Sequence, residues 1–175
     1  LVESYNAFVD VFNSENRNQI EEGKLDPLEY STEEFVKKAS GIENRYVLDK
    51  EGILDPHRMR PSLEERTNEE PSIQADIAVN ACKKAIKNAG KSIEDIDSII
   101  CACSNLQRAY PAIAIEIQEL LGVTGFAYDM NVACSSSTFA IQNAVNDIKS
   151  GLSDCVLVVN PEICSGHLNF KDRDG

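Results

Sequence analysis

Apolar residues along this chain recur at helical spacing in some stretches and run unbroken in others, and the two patterns alternate. Val2, Tyr5, Phe8, Val9 and Phe12 predict an amphipathic helix from the first residue. Residues 13–27 are polar and acidic, with Gly23 and Asp26-Pro27 marking a turn, and read as a solvated connection. Ser31 and Glu34 fit a capping box, so a short helix runs to Ala39 and Gly41 ends it. Residues 49–71 are charged and proline-containing and are expected to form a loop insertion. Pro71 opens a helix to Asn88, with Gly90 beyond its end.

From there the pattern becomes strand, helix, strand. Residues 98–103, 126–132 and 155–159 are apolar runs of strand length, as expected of strands covered on both faces. Between the first two lies a polar loop, then a helix started by Pro111, running over 112–121 and stopped by Gly122. Between the second and third, Ile141, Ala144, Val145 and Ile148 recur at helical spacing from Ser135 to the stop at Gly151.

Cys134 stands at the junction of the second strand and this last helix. Unpaired backbone N–H groups and the positive end of the helix dipole favour a thiolate at such a place, and the thiolate is the reactive form. Ala133, Ser135, Ser136, Ser137, Ala140 and Ala144 make the helix small on nearly every side. A helix of that kind is expected to pack inside a protein, shielding the sulfur from water and giving an acyl chain an apolar place to lie. Position alone leaves two readings open, a nucleophile and a buried structural thiol.

Composition narrows the classes. With 42% hydrophobic and 26% charged residues in 175, the chain suits one globular core. No apolar run is long enough to span a bilayer and no signal peptide precedes the first helix, so the expected location is cytoplasmic. Most of the six cysteines lie in apolar runs; Cys101 and Cys103 have no second pair or histidine cluster to complete a metal site, and none is expected. A formal charge of −12 argues against nucleic acid. His57, Arg58 and Arg60 form the one basic cluster, read first as a solvated loop and second as a contact for phosphate or phosphopantetheine.

Residues 129–140 (D-M-N-V-A-C-S-S-S-T-F-A), followed by residues 151–159, resemble the nucleophile region of the thiolase superfamily, and within it β-ketoacyl-acyl carrier protein synthase III. Gly41-Ile-Glu-Asn-Arg45 resembles that family's early G-I-x-x-R signature, and residues 169–174 resemble the segment after its next strand. The likeness runs from about residue 31 to the end. It implies an α/β, thiolase-like fold layered α-β-α-β-α, in which residues 1–175 are the first of two pseudo-repeated halves, without the opening strand. It also implies that Cys134 is the catalytic nucleophile and that Tyr110 and Arg45 bind substrate, Tyr110 from a loop at the interface of a homodimer. The family's tryptophan and arginine, which clamp the adenine of coenzyme A, align with Phe35 and Ala39, which leaves room for a longer acyl-coenzyme A or an acyl carrier protein as donor.

The implied activity is acyl transfer in fatty-acid biosynthesis without a cofactor. Cys134 accepts an acyl group from acyl-coenzyme A or acyl-acyl carrier protein, and malonyl-acyl carrier protein then condenses with it by a decarboxylative Claisen reaction. The carrier protein is acidic like this chain, so a basic docking patch has to be local or lie on other sequence. The family's histidine and asparagine, which stabilise the enolate, are expected beyond Gly175, so these residues alone are expected to be inactive. Two alternatives stand beside this reading. One is another thiolase-fold condensing enzyme, hydroxymethylglutaryl-coenzyme A synthase-like or ketone-forming, against which Tyr110 replaces a glutamate before Pro111. The other is a non-catalytic interaction subunit with Cys134 structural. Cys164 and His167 are not assigned to catalysis.

Overall fold

β1 (Ser98–Ala102) is buried at all five positions, and its unit is built around it. In the computed structural model, which describes residues 1–172, residues 65–162 form one unit and residues 1–64 with 163–172 form another. β1 is the central strand of a parallel sheet of order β2-β1-β3, flanked by β2 (Phe126–Met130) and β3 (Val156–Val159). Ser98 is in register with Phe126 on one side and Val156 on the other. Parallel neighbours need crossovers, supplied by α6 (Ile113–Leu121) and α7 (Ser136–Ser150).

Alternation along β1 divides the core. Ile99 and Cys101 join Ala75, Ala78, Ile113 and Ile117 under α5 (Ile73–Asn88) and α6. Ile100 and Ala102 face the other way, against Ala140 and Ala144 of α7. The unbroken apolar run thus reflects a strand with helices on both faces. Gly125 leads into β2 with φ +123°, and a Cβ there would lie 2.1 Å from the Asp97 carbonyl oxygen, so only glycine fits. The Asp97 carboxylate accepts the N–H groups of Asp154 at 2.6 Å and Cys155 at 2.8 Å, fixing the entry to β3.

The observed boundaries change several expectations. Ser72 caps α5, accepting the Ala75 N–H at 3.1 Å, and Pro71 precedes the cap. The Ser72 hydroxyl also donates to the buried Glu116 carboxylate, which pairs with Arg108 at 3.0 Å. α7 buries Ser136, Ala140 and Ala144 but exposes Phe139, Ile141, Val145 and Ile148, so it is not packed on every side among the described residues. Its small residues face the sheet because they allow a close approach to Ile100 and Ala102. The larger apolar residues therefore point outward.

The other unit contains α1 (Val2–Glu15), α2 (Arg17–Glu21), α3 (Glu33–Ser40) and α4 (Lys50–Leu54). Residues 13–27 are not a plain loop: α1 continues to Glu15, α2 follows, and the Asn13 side chain clamps Leu28 by donating to its carbonyl and accepting its N–H, both at 2.9 Å. α3 is capped by Thr32, which accepts the Phe35 N–H, and not by Ser31, whose own N–H donates to Asn6 Oδ1. The expected loop at 49–71 holds α4, capped by Asp49, whose carboxylate accepts the N–H groups of Gly52 and Ser62. Ile53, Met59 and Phe170 form this unit's core, with Phe8 and Leu168 packed against it. The segment resembling the family at residues 169–174 ends outside the described residues.

Candidate active site

The sheet unit brings three loops together at the carboxyl ends of its parallel strands, where open α/β sheets place their sites. Two polar side chains near the end of β2 organise this region. Asp129 accepts the N–H groups of Ile113 at 2.9 Å and Ala114 at 2.8 Å, satisfying two otherwise free donors at the start of α6. Asn131 accepts the Ala133 N–H at 3.0 Å through Oδ1 and donates through Nδ2 to the Ser104 carbonyl at 2.9 Å.

Between Asn131 and α7 the chain makes a tight turn. Ala133 has φ +47°, a left-handed conformation that disfavours a residue with a Cβ. The Ser135 N–H donates to Val132 O at 3.1 Å and the Ser136 N–H to Ala133 O at 3.1 Å. Ser136 Oγ accepts the Val132 N–H at 2.9 Å and donates to Ala133 O at 2.7 Å, so one hydroxyl closes the turn on both sides. Cys134 is exposed at the tip of this turn, two residues before the first residue of α7. Its own N–H has no acceptor among the described residues.

The loops after β1 and β3 are joined by Glu162. Its Oε2 accepts from the Ser104 N–H and hydroxyl, each at 2.7 Å, and from Cys103 Sγ at 3.3 Å; Oε1 accepts from Asn105 Nδ2 at 3.1 Å. Partial burial pushes this carboxyl up, but the Ser104 bonds, with Asn105 and Cys103, outweigh it and hold the pKa down at about 2. Gln74 supports the same loop, donating to Asn105 O at 2.6 Å and accepting the Gln107 N–H at 2.5 Å.

The cysteines separate by environment. Burial pushes the Cys82 and Cys103 thiols up to about 11 and Cys101 higher still, which keeps all three as thiols. Cys155 is half-buried, and Cys164 is exposed in a 3₁₀ turn of the helical unit. Cys134 alone combines exposure with a position on the turn between β2 and α7. The expected burial of its sulfur is not observed among the described residues, because nothing described covers the outer side of α7.

Tyr110 lies in the sheet unit on the loop between β1 and α6, 92% exposed and followed by a cis Pro111. Arg45 lies in the helical unit, exposed after α3, where Phe35 is half-buried and Ala39 exposed. His57, Arg58 and Arg60 are exposed around a shallow hollow shared with Asp55. The pattern reading missed Asn131, Ser104 and Glu162. The available signal was the polar pair Asp129 and Asn131 interrupting an apolar run. No three His, Cys, Asp or Glu side chains converge to hold a metal among the described residues, and no described helix is long and apolar enough to cross a membrane.

Known proteins match this chain throughout. The family described as 3-oxoacyl-[acyl-carrier-protein (ACP)] synthase III matches residues 128–175, which include the Cys134 turn. The chain is 56% identical over 173 residues to a β-ketodecanoyl-[acyl-carrier-protein] synthase of Pseudomonas aeruginosa, covering 99% of this chain and 49% of that protein. It is 32% identical over 158 residues to a β-ketoacyl-[acyl-carrier-protein] synthase III of Clostridium perfringens, covering 90% of this chain and 42% of that one. The crystal structure of 3-oxoacyl-[acyl-carrier-protein] synthase III from Aquifex aeolicus superposes with a TM-score of 0.63 at 28% identity, over 82% of this chain and 40% of that one. The chain spans about half the length of the curated relatives it matches, or less.

The fold and the Cys134 turn thus define an α/β chain of thiolase type. In sequence and in fold it resembles β-ketoacyl-acyl carrier protein synthase III over part of that protein's length.

Proposed function

We propose that this chain supplies the nucleophile half of an acyltransferase that makes β-ketoacyl-acyl carrier protein for fatty-acid biosynthesis. The observation that carries the reading is Cys134, exposed at the tip of a turn fixed by five hydrogen bonds from Asn131, Ser135 and Ser136. Its sulfur attacks the carbonyl carbon of an acyl thioester, a C–S bond forms, and the carrier thiolate leaves and takes up a proton. The Cys134 N–H is one donor for the oxyanion of that step. Malonyl-acyl carrier protein then loses carbon dioxide, and the electron pair left on carbon attacks the acyl group. A C–C bond forms and the bond to Cys134 breaks, returning the thiolate.

On this reading the chain works with a second pseudo-repeated half, which contributes a histidine and an asparagine to stabilise the enolate. The layered α-β-α-β-α fold is completed by that half, which covers the apolar outer side of α7. Homodimer formation and the substrate contacts of Tyr110 and Arg45 belong to the same proposal. So does a soluble, cytoplasmic location.

The primer is of medium length. The β-ketodecanoyl product named for the 56% identical relative has ten carbons, two of which come from the malonyl unit, leaving an eight-carbon acyl primer. Phe35 and Ala39 at the adenine-clamp positions agree with a donor other than acetyl-coenzyme A. Competition between acetyl and octanoyl thioesters in a condensation assay with malonyl-acyl carrier protein tests this. Octanoyl is expected to win by at least about tenfold, and preference for acetyl overturns the assignment.

A further inference from the structure

Asn131 makes two bonds that no other side chain of the site duplicates. Oδ1 accepts the Ala133 N–H at 3.0 Å and holds the turn at the residue with φ +47°, immediately before Cys134. Nδ2 donates to the Ser104 carbonyl at 2.9 Å, and Ser104 is itself held by Glu162 through two bonds of 2.7 Å. A continuous chain of hydrogen bonds therefore runs from the loop after β3, through the loop after β1, to the turn that carries the sulfur.

We propose that Asn131 is a positioning residue for the Cys134 nucleophile, its side-chain amide bracing the Ala133 turn against the Glu162-anchored loop. The inference rests on Cys134 being the acyl acceptor. Without the Asn131 bond only the Ser135 and Ser136 bonds hold the turn, and Ala133 relaxes toward negative φ, because a residue with a Cβ disfavours the left-handed conformation. That relaxation rotates the peptide before Cys134 and moves both the sulfur and the Cys134 N–H. Displacements of about 1 Å in reacting groups cost roughly a hundredfold in rate. Asn131 is itself exposed and contributes no core packing, so its replacement leaves the sheet and its two cores intact.

The test uses the full-length protein with wild type, Asn131→Ala, Asn131→Ser and Cys134→Ala. The rate of acyl-adduct formation from an acyl-coenzyme A is followed by intact mass over a concentration series. Alkylation by iodoacetamide and the thermal midpoint are measured alongside. Asn131→Ala is expected to lower the maximal acylation rate about ten- to a hundredfold, with the half-saturating concentration, the alkylation rate and the thermal midpoint near wild type. Asn131→Ser, whose hydroxyl can accept the Ala133 N–H, is expected to recover much of the loss. Acylation of Asn131→Ala at the wild-type rate overturns the positioning role while leaving Cys134 as acceptor. Acylation and alkylation falling together with the thermal midpoint reduce Asn131 to a structural role and overturn it as well. A wild type that takes up no acyl group, or a Cys134→Ala that takes up as much, overturns the nucleophile assignment and the positioning role with it.

Discussion

Four donors converge on one carboxylate at Glu162, and this makes the residue a pH-sensitive part of the fold. Its folded pKa of about 2 lies below the ordinary 4.5, so the ionised form is bound more tightly in the native state. The stabilisation is fully present above pH 4.5 and is lost as pH falls from there through 2. Because Glu162 is only partly buried, its contribution is about 1–2 kcal/mol after allowance for solvent screening. Thermal midpoints between pH 7 and pH 3 are expected to fall less steeply for Glu162→Gln than for wild type; parallel curves would contradict the linkage. Glu162 was not legible in the sequence, since its partner Ser104 lies 58 residues away. Cys134 was legible because a thiol between an apolar run and a helix of small residues is a local pattern. Asn131 lay within that pattern, but its bond to Ser104 spans 27 residues and needs the sheet to be assembled first.

Among the elements, strands and crossovers were readable because β1 is buried on both faces and both crossover helices, α6 and α7, end at a glycine. The caps were less so: Thr32 and Ser72 do the work assigned to Ser31 and Pro71, a choice between neighbours that depends on which hydroxyl meets the first free N–H. On α7 the apolar row was found and the helix expected to be packed inside, whereas Phe139, Ile141, Val145 and Ile148 are exposed among the described residues, because spacing reports a face and not what covers it. Gly125 shows the opposite case, a local residue with a tertiary reason. Gly125→Ala is expected to destabilise the sheet unit by about 2–4 kcal/mol, since a backbone oxygen occupies the Cβ position and φ is positive. Ile148→Ser on the exposed side of α7 is expected to change the stability of this chain by no more than about 0.5 kcal/mol. Chemical denaturation of both variants checks the contrast, and equal costs would contradict the assigned packing.

For the molecule as a whole, the exposed apolar row on α7 is the face that the proposed second half would cover, and the chain spans about half or less of the relatives' length. The 175 residues by themselves are therefore expected to yield no β-ketoacyl product from an acyl thioester and malonyl-acyl carrier protein, and product formation by them would contradict the two-half account. The resemblance made the fold legible well before its geometry was known, whereas primer length depended on a relative's product and on two clamp positions. The central claim, that Cys134 accepts the acyl group, is tested most directly by intact mass of the full-length protein after incubation with acetyl-, octanoyl- and dodecanoyl-coenzyme A, beside Cys134→Ala. A mass increase of one acyl group, largest with octanoyl and absent from Cys134→Ala, is the predicted result. No adduct from any donor, acyl carrier protein thioesters included, or an equal adduct on Cys134→Ala, would contradict it.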